Sequence, residues 1–313
     1  MYHLLGGIYL GWSLGANDTA NVFGTAVTSR MVSFFTAAVL SAGFVVLGAV
    51  LEGQAGMDTI GNLAQQNLYT ATVTSVGAAV SITAMTLLRI PSSTSQAVVG
   101  SIIGVGLMSA ADLQLHGLIK VLVCWVGTPV GALLVAMILY RLLGRGLNAL
   151  APNIYAHDEL MRAGLVLSGA YGAYALGANN VANVTGVYVG AGLLTPFWGV
   201  VVGGASIAFG VLTYSKPVMM TVGKAIVRLD AFSALVVVLA EAVVVHIYAV
   251  IGVPVSTSQA VVGAVLGVGL IKQVSAVRGR VVYRIVLGWI ATPLLAGAIA
   301  AAIYFVSHLR YVP

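Results

Sequence analysis

Two stretches of this sequence are each written twice. Pro91–Leu107 reads PSSTSQAVVGSIIGVGL and Pro254–Leu270 reads PVSTSQAVVGAVLGVGL, with 13 identities in 17 positions at an offset of 163. Gly15–Gly24 (GANDTANVFG) and Gly177–Gly186 (GANNVANVTG) agree at 7 of 10 positions at an offset of 162, and a shorter echo, Trp125–Pro129 (WVGTP) against Trp289–Pro293 (WIATP), lies at 164. Near-constant offsets over three blocks identify a duplication. The first repeat spans residues 1–142, the second 161–313, and the most polar loop, 143–160, joins them. Whatever one half folds into, the other must fold into as well.

Each repeat contains five apolar segments, over residues 4–28, 33–52, 69–88, 92–111 and 117–141, then 161–190, 195–214, 232–252, 255–271 and 282–306. About 20 apolar residues cross a bilayer as a helix, so ten crossings consume most of the 313 residues and leave no room for a soluble domain. Composition agrees. Only 7% of residues are charged and 60% are hydrophobic, whereas a soluble domain carries roughly 25% charged residues. A soluble enzyme, a nucleic-acid-binding domain and a disordered scaffold are excluded, and the net charge of +6 says nothing about nucleic acid. The fold class is an all-α polytopic membrane protein built from two five-segment repeats. No P-loop, HExxH or GxSxG motif occurs, so the sequence reads as a non-enzyme with no bound cofactor. MYHLLGG has no Lys or Arg before its apolar run, so the first helix is expected to stay. Cys124 reads as a small buried hydrophobe, and Trp125 and Trp289 as anchors at the membrane–water interfaces.

Charge placement sets the orientation. If all ten segments cross, Arg30, Arg89, Arg141, Arg145, Arg162, Lys216, Lys224, Arg228, Lys272, Arg278, Arg280 and Arg284 fall on one side, and only Lys120 and Arg310 on the other. If the fourth and ninth segments dip in and return, the 14 basic residues split 7 to 7. Basic residues gather in cytoplasmic loops, so the crossing arrangement is preferred and both termini lie outside the cytoplasm. Five crossings per repeat then insert the second half upside down relative to the first. Inverted repeats of this kind belong to secondary transporters, whose sites lie at the midplane between the halves.

The repeated motifs are polar where a membrane segment should not be. Asn17 and Asn21, like Asn179 and Asn183, are four residues apart and share a helix face. Each amide offers both a donor and an acceptor, while Gly15, Ala16 and Ala20 admit another backbone. Asp18 is a carboxylate inside a span, which is costly and by default functional; its counterpart is Asn180, so the half-sites differ by one charge. In the second motif, proline followed by Ser and Thr starts a helix. Two such starts, Ser93-Thr94-Ser95-Gln96 and Ser256-Thr257-Ser258-Gln259, would turn hydroxyls, amides and free backbone N–H groups towards one anion. With no Lys or Arg mid-span, such donors would hold a small oxyanion that leaves readily. The spacings Gly100/Gly104 and Gly263/Gly267 suit close helix packing. Asp18, Asn21, Asn180 and Asn183 supply acceptors for a hard cation such as Na⁺, with Na⁺ placed at Asp18, Asn21 and Asn183, and a protonatable Asp18 would equally suit H⁺. Glu241 lies mid-span where the first repeat has Ala78. It reads either as a coupling-ion or proton site, or as an acid bridging helices or subunits. His246 reads as a satisfied interfacial histidine, and Glu52 and Asp58 as part of an outer vestibule.

At these residues the sequence resembles the inorganic phosphate transporter family, which carries GANDxAN-type motifs in both inverted halves with Ser/Thr-rich broken helices. The resemblance covers nearly the whole chain. It implies import of inorganic phosphate coupled to Na⁺, or to H⁺, by alternating access in the cell membrane, and a homodimer. It places Asn17, Asp18, Asn21, Asn179 and Asn183 along the ion and substrate site, with Ser93, Thr94, Ser95, Ser256, Thr257 and Ser258 in a phosphate cradle. Asn180 departs from the aspartate usual in the second motif, and the long central loop of larger members is absent. Because phosphate retains a P–OH donor that a carboxylate accepts and sulfate has none, losing one carboxylate leaves a sulfate or thiosulfate permease as the alternative substrate reading. An anion channel is the alternative of a different class.

Overall fold

In the computed structural model, residues 2–87, 92–150, 153–225, 229–273 and 279–311 are described. After a short 3-10 turn (Tyr2–Leu4), eleven α-helices follow. The first half holds α1 (Leu5–Thr28), α2 (Phe34–Glu52), α3 (Gln54–Gly61), α4 (Leu68–Leu87), α5 (Thr94–Met108) and α6 (Leu115–Leu150). The second holds α7 (Ile154–Gly190), α8 (Pro196–Ala225), α9 (Ala231–Ile251), α10 (Thr257–Lys272) and α11 (Gly279–Tyr311). All ten expected segments are helical. By length and hydropathy, α2, α4, α6, α8, α9 and α11 are each able to cross a membrane. Helices α1 and α7 have the length, but their glycines and asparagines dilute the apolar run.

Three features depart from the expected outline. The short helix α3 was not anticipated. It follows α2 directly and lies against α7, with Gly56 close to Ala182 and Gly61 close to Gly190. The 143–160 linker is mostly helical, because α6 runs to Leu150 and α7 begins at Ile154, its first turn capped by the Asn153 side chain accepting from Ala156 N at 2.9 Å. Trp125 is buried at 6% exposure within the core and is not an interfacial anchor.

Helix crossings follow the duplication. Helix α1 packs on α8 as α7 packs on α2, and α5 packs on α11 as α10 packs on α6. Paired glycines produce the same reciprocity. A Cβ on Gly15 would strike the Ile207 carbonyl, and one on Gly177, its repeat partner, would strike that of Val45. Gly48 meets the Tyr174 carbonyl where Gly210 meets that of Trp12. Gly100 and Gly104 meet the Pro293 and Gly297 carbonyls; Gly263 and Gly267 meet those of Pro129 and Leu133. Without a hydrophobic drive between helices in lipid, such backbone-to-backbone approaches supply the packing. The largest buried cluster accordingly draws on both halves at once.

Helices α5 and α10, with 15 and 16 residues, are only about 22–24 Å long at 1.5 Å per residue, short of a hydrocarbon core of about 30 Å. Their first turns are therefore deep in the protein, and these short helices place the site.

Candidate transport site

Each short helix starts on a serine cap. Ser93 Oγ accepts from Gln96 N at 3.4 Å and Ser256 Oγ from Gln259 N at 3.3 Å. The next amide in each helix bonds the cap carbonyl, Ala97 N to Ser93 O and Ala260 N to Ser256 O. A helix start has four N–H groups without an i−4 partner; the serine cap takes up one of them in each helix, leaving those of Ser93, Thr94 and Ser95, and of Ser256, Thr257 and Ser258, without a helical partner. Ser93, Ser95, Gln96, Ser256, Thr257 and Gln259 are each at most 3% exposed.

The asparagine motifs of α1 and α7 meet these helix starts across the two halves. Asn183 Nδ2 donates to Ser95 Oγ and to Asn180 Oδ1, both at 2.9 Å. Ser95 Oγ donates to the Val255 carbonyl at 3.0 Å. Asn179 grips the same residue from both sides, donating to Val255 O at 2.8 Å and accepting from Val255 N at 2.9 Å. On the other motif, Asn21 Nδ2 reaches Thr257 Oγ1 at 3.5 Å, and Thr257 also neighbours the Asp18 carboxyl. Ser258 Oγ pairs with Ser256 Oγ at 2.9 Å and reaches the Ser92 carbonyl at 3.5 Å. These bonds join Ser95, Asn179, Asn180 and Asn183 through Val255 and link Asn21 to Thr257, while Asn17 bonds only its own helix and Glu241 stands on α9. Glu241 is 2% exposed and its Oε2 has no partner among the described residues.

The two half-sites are not equivalent. Asn179, Asn180 and Asn183 are 1% exposed, whereas Asn17, Asp18 and Asn21 are half-buried. Asn17 Nδ2 donates back to Ser13 O of its own helix at 2.9 Å instead of gripping the segment before α5. The backbone of Val255 is the site component the sequence did not reveal, because a main-chain amide carries no signature of its own. Buried polar atoms also remain unpaired: Gln96 Oε1, Gln259 Oε1, Asn183 Oδ1 and Asn180 Nδ2 have no partner among the described residues. Unpaired buried groups are costly and call for an explanation. Three of these atoms are acceptors and one is a donor. No cluster of three His, Cys, Asp or Glu side chains occurs among the described residues, so any cation here would be held by amide, hydroxyl and single carboxylate oxygens.

Away from this centre, His246 is satisfied on both sides, by Glu52 Oε2 at 2.7 Å and by the Tyr171 hydroxyl at 2.7 Å, tying α2, α7 and α9 together. Glu52 is therefore a structural partner and not a free vestibule acid. Asp58 lines a cavity of about 620 Å³ with His116 and Lys120.

Comparison with known proteins agrees with this architecture. The phosphate transporter family model matches residues 14–300. The chain belongs to that family. A putative phosphate permease of Methanocaldococcus jannaschii is 30% identical over 288 residues, covering 92% of this chain and 91% of its own. A sulfate permease of Bacillus subtilis is 29% identical over 303 residues, covering 95% of this chain and 85% of its own. A solved structure described as the sodium-dependent phosphate transporter superposes with a TM-score of 0.90 at 24% identity, over 99% of this chain and all of that one. At that identity the likeness establishes the fold.

Proposed function

We propose that this protein imports inorganic phosphate across the cell membrane as a cation-coupled secondary transporter, with Na⁺ ahead of H⁺ as the driving ion. The observation that carries the proposal is the convergence of two capped helix starts and both asparagine motifs on one buried centre that contains no Lys or Arg. Backbone N–H groups and hydroxyls of Thr94, Ser95, Thr257 and Ser258 bind the oxyanion. Oxygens of Asp18, Asn21 and Asn183 hold the cation, whose charge offsets both the anion and Asp18 in an interior where an uncompensated charge is expensive. Coupling follows, because neither ion enters cheaply without the other. The halves are inverted repeats in this reading, with the basic side cytoplasmic, both termini outside and a homodimer in the bilayer.

The inequality of the half-sites supports alternating access. Asn179 holds Val255 from both sides while Asn17, its repeat partner, bonds Ser13 of its own helix and leaves the Ser92 carbonyl to Ser258. In the opposite state the two exchange roles: Asn17 takes the backbone at Ser92 and Asn179 lets go of Val255. The test is uptake of labelled phosphate into proteoliposomes under separately imposed Na⁺ and pH gradients. Accumulation driven by Na⁺ is expected; accumulation driven by neither gradient would overturn the coupling. A sulfate permease is the second reading, favoured by Asn180 and by the match to the Bacillus subtilis protein. Sulfate that outcompetes phosphate at equal concentration would establish it.

A further inference from the structure

The turn between α1 and α2 contains a residue that its own backbone disfavours. Arg30 sits at φ 62°, in the left-handed region, where a non-glycine residue is strained. Its repeat counterpart, at the offset of 162, is Gly192 at φ 71°. The two turns close alike, with Arg30 N bonded to Val27 O and Gly192 N bonded to Val189 O. One turn therefore uses the residue the conformation asks for, and the other keeps an arginine against it. Such a strained residue directs attention to what its side chain does.

Arg30 lines a cavity of about 520 Å³ together with Arg162 of α7, the Ser33 and Thr36 hydroxyl residues, and an apolar wall that includes Met31 and Val166. Phe34, also in the lining, carries the Lys216 ammonium of α8 over its ring at 5.5 Å. Among the described residues neither Arg30 nor Arg162 has a carboxylate partner. Asp158 and Glu159, one turn before Arg162, do not line the cavity, and Asp158 is paired with His157. Two guanidinium groups from separate elements thus line a space far larger than one oxyanion, with an apolar wall beside them, a third cation, Lys216, on the lining residue Phe34, and Phe35, 77% exposed, next along the chain. Guanidinium forks match phosphate oxygens, and basic pockets between helices at the basic end of a membrane protein suit anionic head groups.

We propose that this cavity binds the phosphate group of an anionic phospholipid, with Arg30 and Arg162 on the phosphate and Met31, Val166 and Phe34 against the glycerol and upper acyl chain. Free inorganic phosphate shares the head-group chemistry but leaves the apolar wall unused. The inference stands apart from the transport reading, because no residue of the central site takes part.

The test titrates the purified full chain in detergent with phosphatidylglycerol, phosphatidylcholine or inorganic phosphate, following thermal unfolding and lipid adducts by native mass spectrometry. Arg30→Gly is the informative variant, since glycine suits the turn and the fold should be kept or improved; Arg162→Gln is its companion. Phosphatidylglycerol should stabilise the wild type where phosphatidylcholine does not, and the half-saturating concentration should rise about tenfold in the double variant. Equal titration of wild type and double variant by phosphatidylglycerol would overturn the site. A stabilisation by inorganic phosphate that the double variant loses, with phosphatidylglycerol inert, would overturn the lipid as its occupant. Phosphate bound at the central site would give a response the variants leave unchanged.

Discussion

Asp18 and Asn180 occupy one position of the repeat and differ by a single charge. In the proposed mechanism that charge recruits the cation, so Asp18→Asn should abolish concentrative phosphate uptake in proteoliposomes; accumulation at the wild-type level would refute the role. The converse change, Asn180→Asp, restores a second carboxylate able to accept the P–OH proton that sulfate lacks. A hydrogen bond to a charged group is worth about 1.5–3 kcal/mol, so the ratio of sulfate to phosphate needed for half-inhibition of uptake should rise by about tenfold or more. An unchanged ratio would mean that position 180 does not meet the anion. Identities at this scale were legible from the duplication, since Asn17, Asn21, Asn179 and Asn183 stand out as polar residues repeated inside apolar runs. Their unequal roles were not. Asn17 and Asn179 both follow Gly-Ala and stand four residues before a second asparagine, and nothing in that pattern tells that one bonds its own helix and the other grips Val255.

Among the elements, the helix crossings depend on the absence of side chains. Gly263→Ala would drive a methyl into the Pro129 carbonyl, while a Cβ on Gly43 meets nothing within 4 Å. The first substitution should cost about 1–3 kcal/mol, or the folded yield, and the second should be neutral or stabilising by up to ~1 kcal/mol. Melting of the two variants in the same detergent checks the pair; equal loss would show that both report only on helix propensity. A smaller tie joins the ends of α9 and α10, where Lys272 bonds the Asp230 carboxylate that caps α9. Burial opposes the Asp230 charge, but the bonds from Lys272 and Ser233 outweigh it and hold the carboxyl below its usual range, while the same contact raises the Lys272 ammonium. The lowered acid contributes above its unfolded value of about 4, and the raised base below its unfolded value of about 10.4. The tie is therefore intact through neutrality, fading only as pH falls through the acid's folded value or rises through the base's. Both side chains are partly exposed, so Lys272→Met should cost less than about 1 kcal/mol at pH 7 and nothing at a pH below the acid's folded value. A loss of the same size at both pH values would assign the effect to packing. Ten helices were readable from apolar length and breaks. Helix α3 was not, because eight residues are two turns without a pattern, and the continuation of α6 and α7 into the polar loop follows from good helix formers and an Asn153 cap that hydropathy ignores.

For the molecule as a whole, each half fills the grooves of the other. The close approaches at Gly15, Gly48, Gly100 and Gly104, and those at Gly177, Gly210, Gly263 and Gly267, all run between halves. Residues 1–150 and 153–313 expressed as separate chains should therefore copurify and recover phosphate uptake, whereas either alone should fail to accumulate. A stable isolated half would contradict the reciprocal packing. The duplication was enough to anticipate an all-helical chain whose two halves pair their helices in the same way. Which groove received which helix was not, since glycine spacing names the surface that is approached and not the partner.

Reciprocal packing together with the Asp18–Asn180 difference has an arithmetical consequence. Two identical chains assembled about a two-fold axis bring every side chain to the centre in pairs, so their shared cavity can contain none or two of any carboxylate, never one. Joining the copies into a single polypeptide lifts that parity rule. Each copy can drift alone while still fitting its twin, and the paired asparagine motifs acquire an odd charge count, one carboxylate facing one amide across the repeat.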